Sequence, residues 1–127
     1  MPDDYTPWDT DAPPAYDLYL ELQQKRRDMN TCVRMLRETG TELAEAERAY
    51  RVRLRAETLA LRDEGMAVTL IRDVVRGIDE VANLRFERDR AQVTYDANKD
   101  ALNACKLEIR VIENQIAREY STPQAGF

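Results

Sequence analysis

The sequence predicts an all-α protein: an antiparallel helical hairpin, coiled-coil-like, with a short helix at its tip and a tendency to dimerise into a four-helix bundle. Three observations predict it. The prolines are Pro2, Pro7, Pro13, Pro14 and Pro123, so residues 15 to 122 hold none. The same stretch holds only three glycines, Gly40, Gly65 and Gly77, far fewer turn residues than a β-rich domain needs. Apolar residues then recur every seven positions in two long runs, the spacing of a helical seam.

Residues 1–14 read as a flexible, acidic, proline-rich arm. Asp3, Asp4, Asp9 and Asp11 give it a charge of -4 with no basic residue, out of -5 for all 127 residues. The rest of the chain is therefore close to neutral. Pro13 or Pro14 suits a helix first turn, where a missing N–H costs nothing. A single hairpin domain is expected over 15–120, and residues 121–127 form a short tail.

In the first long helix, Leu22, Met29, Leu36, Leu43 and Tyr50 recur at intervals of seven, flanked by Val33, Leu54 and Leu61 with Cys32 and Ala46 between. Unbroken from Ala15 to Glu64, it would extend about 75 Å. Thr39 and Glu42 have capping-box spacing around Gly40. The helix either bends there or uses Gly40 to admit a close neighbour; the unbroken phase of the seam favours a continuous helix.

Glu64-Gly65 ends this element. Thr69 is positioned to cap a short helix from Leu70 to Arg76, which Gly77 stops. Met66, Leu70, Ile71, Val74 and Val75 make this tip apolar, so the short helix must dock on something. Asp79 can cap the second long helix, which runs to about Tyr120 with seam rows Val81, Arg88, Tyr95, Leu102, Ile109, Ile116 and Leu84, Ala91, Asn98, Cys105, Ile112. Asn98 in such a seam suggests a register-fixing residue. Folding about the tip sets Cys32 near the level of Cys105 to Arg110. Both thiols are expected to be reduced and semi-buried, in a cytoplasmic protein.

Two surfaces stand out. Phe86, Val93, Ala97, Ala104, Leu107 and Val111 form a second apolar stripe on the second long helix, nearly opposite its seam. A two-helix hairpin covers only one face of each helix, so the stripe needs another surface. Self-association as a homodimer is the favoured cover; a different partner protein and fold-back of the arm with Tyr5 and Trp8 are the alternatives. The first helix carries a basic row, Arg27, Arg34, Arg48, Arg51, Arg55 and Arg62. It can be an electrostatic track for phosphates, or a solvated face with ion pairs such as Glu47–Arg51 and Glu38–Arg34. The second reading is favoured, because no aromatic residues interleave with the arginines for base stacking.

Catalytic chemistry finds no foothold. Histidine is absent, which removes Ser-His-Asp and Cys-His arrangements and the Glu-x-x-His metal motif of helical bundles. Phosphate-cradling glycine loops and a nucleophile elbow are also missing. Carboxylate pairs such as Asp96/Asp100 and Glu108/Glu113 read as solvated helix surface. No catalytic, cofactor or metal site is expected, and no apolar run approaches the ~20 residues of a membrane span.

The Glu64-Gly65-Met66 tip, the Val68-Thr69-Leu70-Ile71 start of the short helix and the run Val81-Ala82-Asn83-Leu84-Arg85-Phe86-Glu87-Arg88-Asp89 resemble a group of small helical proteins encoded by phages and prophages of Gram-positive bacteria. The resemblance covers about Leu22 to Tyr120. It implies a viral accessory role exercised by binding a host or phage protein, for example as an inhibitor of a defence system such as an anti-CRISPR. An accessory factor for phage recombination or replication and a coiled-coil virion component are the alternatives. The resemblance carries over no functional residue.

Overall fold

The computed structural model describes residues 15–121. The acidic arm, and the tail beyond Ser121, lie outside the described residues. Three helices follow in order: α1, Ala15–Asp63; α2, Val68–Arg76; and α3, Asp79–Ser121. No strand occurs among the described residues. α1 packs against α3 as a hairpin, and α2 lies between them in sequence. The chain divides into two compact units. One joins the start of α1, through Val33, to α3 from Ala101 onward; the other is Arg34–Asp100.

α1 runs without interruption through Gly40. The Thr39 hydroxyl, which the sequence offered as a cap, donates to the Met35 carbonyl of its own helix at 2.7 Å. A threonine whose hydroxyl is satisfied one turn back has no need of a terminus. Gly40 serves the close approach instead: a Cβ added there would meet Cε1 of Tyr95 at 3.2 Å.

The end of α1 is a Schellman closure. Gly65 takes a left-handed φ of 86°. The Met66 amide donates to the Leu61 carbonyl at 3.2 Å and the Gly65 amide to Arg62 at 3.0 Å, filling carbonyls the helix would otherwise leave open.

α2 begins earlier than the sequence suggested. Its cap is Ala67, with no side-chain hydrogen bond, and Thr69 lies exposed inside the first turn. The Ala67 carbonyl receives the amides of Leu70 and Ile71. Burial of Ile71 and Val75 holds this helix, so a polar cap is dispensable. Likewise the Ala82 amide donates to the Ile78 carbonyl at 2.8 Å, which puts Asp79 in the first turn of α3 rather than ahead of it. There its carboxylate, with that of Glu80, still favours the positive end of the helix dipole.

In the Arg34–Asp100 unit, Tyr50, Val75 and Val81 form the buried core, with Leu54, Leu61, Ile78 and Leu84 packed on it. In the other unit the core is Leu18, Leu22, Ile112 and Ile116, with Ile109 against it. Every α3 seam position named from periodicity is buried or half-buried, Arg88 and Asn98 included. α1 differs in its second row. Val33 is exposed, whereas Thr39 is buried, and Lys25 and Arg53 are half-buried. Asn98 also departs from expectation: its Nδ2 donates to the Thr94 carbonyl of α3 at 3.0 Å, so the amide is spent on its own helix.

Candidate interaction surfaces

The outer face of α3 is apolar and open. In the Arg34–Asp100 unit Phe86 is 63% and Val93 69% exposed, with Ala97 exposed beside them. In the other unit Leu107 and Val111 are each 59% exposed, and Ala104 is exposed as well. The same 3.6-residue geometry that turns Val81, Leu102 and Ile112 inward turns these side chains out.

The apolar tip is only partly a surface. Ile71 is buried, and Val75 is buried in one cluster with Tyr50 and Val81, so this side of the apolar tip faces inward. The short helix docks on its own hairpin. Leu70 and Val74 remain exposed, Val68 more so, and Met66 is half-buried.

Beside the docked α2 lies a groove of about 500 Å³. Tyr50, Leu54, Ile71 and Val75 supply apolar walls, and Arg62, Arg72 and Arg76 bring three guanidinium groups; no carboxylate lines it. Sequence reasoning passed over Arg72 and Arg76. Their i, i+4 spacing was visible, but only docking of α2 sets them beside Arg62 of α1.

The basic row is exposed at all six positions, Arg27, Arg34, Arg48, Arg51, Arg55 and Arg62. Arg51 Nε meets Glu47 Oε1 at 2.6 Å, the expected pair, and Arg27 donates to Gln24 at 2.7 Å. The expected Glu38–Arg34 pair is not formed among the described residues.

Charged groups also line the seam. Arg88 lies over the Tyr50 ring, with its Nη2 2.8 Å from Asp89 Oδ1 and its Nε 3.6 Å from Glu47 Oε2. The hydrogen bond to Asp89 raises its already high pKa, against a smaller opposing effect of burial. Arg53 bridges Glu57 and Glu80. Glu108 and Glu113, considered as a carboxylate pair, are instead partners of Lys25 at 2.6 Å and Arg26 at 3.5 Å. The hydrogen bond to Glu108 raises the Lys25 pKa.

Cys32 and Cys105 are both free thiols. Cys105 is buried and its Sγ donates to the Lys25 carbonyl at 3.4 Å. Burial pushes its pKa up, and the neighbouring Cys32 adds to the shift. A raised pKa leaves little thiolate at neutral pH, so this sulfur is a poor nucleophile.

Among the described residues no three His, Cys, Asp or Glu side chains gather as a metal site. No described helix is long and apolar enough to cross a membrane. Comparison with protein families, with curated proteins and with solved structures returned no match. The arrangement offers association: an apolar helix face, an arginine-edged groove and a row of exposed arginines.

Proposed function

We propose that this protein is a non-enzymatic interaction factor that self-associates through the outer face of α3 and, as a helical dimer, binds another protein. The observation that carries the reading is the exposure of Phe86 and Val93 on a helix whose opposite face is already buried. Fully burying an exposed Val, Leu or Phe side chain gains about 1.5–3 kcal/mol, so several such residues on one helix face favour a dimer. Two hairpins joined through α3 give a four-helix bundle. The resemblance of the tip and of the Val81–Asp89 run to phage-encoded helical proteins supports a role in the cytoplasm of a bacterial host. The partner there is a host or phage protein, such as a component of a defence system.

Light scattering coupled to size exclusion tests the first step. A dimer mass is expected for the native chain, and a monomer for Phe86→Asp/Val93→Asp with helicity retained by circular dichroism. A native chain that is monomeric at all concentrations overturns the reading. Pull-down from host lysate with the native chain and the double variant then tests the second step: a partner retained by the former and lost by the latter is expected.

The exposed basic row favours a second reading, a nucleic-acid accessory factor. Electrophoretic mobility at about 50 mM salt, where phosphate contacts are strong, separates the two. The interaction-factor reading expects no shift with single- or double-stranded DNA.

A further inference from the structure

We infer that the arginine-edged groove of the Arg34–Asp100 unit receives the acidic arm of a second copy of this chain, with Trp8 in its apolar interior. The inference rests on the self-association proposed above only in taking the arm from a second copy; the groove and the α3 face are different surfaces.

The groove sets Arg62, Arg72 and Arg76 around walls that include Ile71 and Val75, and it contains no carboxylate. Among the described residues none of these arginines is engaged in an ion pair. Its complement is a short segment that is anionic and carries large apolar side chains. The chain supplies one. Residues 1–14 hold four aspartates, no lysine or arginine, and two aromatics set beside the acids as Asp4-Tyr5 and Trp8-Asp9. An indole ring fills apolar space and presents a face that attracts guanidinium groups. The flanking aspartates can pair with the same arginines. Residues 38–47 also hold four acids and no base, but they lie inside α1 and carry no aromatic side chain.

The groove belongs to the Arg34–Asp100 unit, whereas the arm leads into the start of α1 in the other unit. A second copy supplies the arm, and mixing of chains identifies the donor.

Trp8 is the single tryptophan, so its fluorescence reports the arm directly. In the native full-length dimer its emission is expected at shorter wavelength than that of a free indole, with protection from acrylamide quenching. Both signatures should vanish in Arg72→Glu/Arg76→Glu, whose two side chains are exposed and whose helicity should be unchanged. They should vanish also in Asp4→Asn/Asp9→Asn. Mixing the native chain with an excess of a Trp8→Phe/Arg72→Glu/Arg76→Glu chain identifies the donor of the arm: docking on a second copy predicts loss of protection. A Trp8 exposed in the native dimer, protection indifferent to the charge reversals, or protection that survives mixing each overturns the proposal. Mass measurements on the same samples separate it from the α3 reading. A dimer with an exposed Trp8 removes the arm contact alone. A Phe86→Asp/Val93→Asp chain that stays dimeric with Trp8 shielded removes the α3 contact alone.

Discussion

The guanidinium of Arg88 lies 4.6 Å from the centroid of the Tyr50 ring. That contact explains how an arginine occupies a position the heptad reserves for an apolar residue. The cation lies over the ring's electron-rich face while Asp89 and Glu47 meet its donors. The stem of the side chain covers apolar surface on the way out.

Tyr50 and Arg88 should therefore respond differently to truncation. Tyr50 is buried with Val75 and Val81, and Tyr50→Ala is expected to cost about 3–5 kcal/mol. Arg88→Met keeps the apolar stem, and Glu47 retains Arg51, so a change within about 1 kcal/mol is expected. Urea denaturation of both variants measures the contrast.

The tip provides a similar pair. Ile71→Ala should lower stability by about 2–4 kcal/mol, because its side chain belongs to the core. Leu70→Ala, one residue away and exposed, should shift it by no more than about 0.5 kcal/mol. Equal losses would contradict docking through the Ile71 side, and a larger loss for Leu70→Ala would mean that α2 docks through the other face.

The two structurally demanding glycines give opposite tests of space and backbone. Gly65→Ala forces a Cβ into the left-handed region and should cost about 1–2 kcal/mol although nothing crowds it. Gly40 is helical, and Ala there gains about 0.5–1 kcal/mol of helix propensity while the half-buried Tyr95 ring yields a few tenths of an ångström. Gly40→Ala should be neutral to slightly stabilising. Gly40→Leu overfills the contact and should cost about 1–3 kcal/mol, relieved in part by Tyr95→Ala. Thermal or urea midpoints decide each case.

The pH dependence follows from Cys105. Its pKa lies above the ordinary 9.0 in the folded chain, so the unfolded chain loses this proton first as pH rises. Stability is then full below pH 9 and falls as pH climbs through the folded value. Lys25, raised above 10.5 by Glu108, acts in the same direction at higher pH. Denaturation midpoints at pH 7, 9 and 10.5 should fall in the native chain and fall less in Cys105→Ala. A native midpoint that rises across that range contradicts the assigned shifts.

Periodicity made most of α3 legible, because its inward residues from Val81 to Ile116 keep the heptad at every step. The outer stripe was legible for the same reason: apolar residues opposite a complete seam have no place in a hairpin. α1 was harder. Its second row includes Lys25, Thr39 and Arg53, polar residues that take seam positions because each finds a partner, in Glu108, the Met35 carbonyl, and Glu57 with Glu80. Counting apolar residues pointed instead to Val33, which is exposed. At the tip, periodicity gave α2 an apolar face but not which part of it docks. Leu70 and Val74 are chemically equivalent to Ile71 and Val75, and only the position of Tyr50 and Val81 distinguishes them. The groove depends on that docking, so Arg72 and Arg76 had no visible meaning beforehand.

The hydrogen bonds of Thr39 and Asn98 to carbonyls of their own helices bear on how the hairpin finds its alignment. A heptad repeat is tolerant of slippage, since moving one strand of the pair by seven residues sets like against like. Polar side chains guard against this only when they reach across; these two do not, whereas Lys25–Glu108 and Arg88–Glu47 do. Volume adds a second penalty: Tyr95 faces the one position in α1 without a side chain, and a seven-residue shift would drive its ring against Val33 or Glu47. The pairing is keyed by shape as well as by charge.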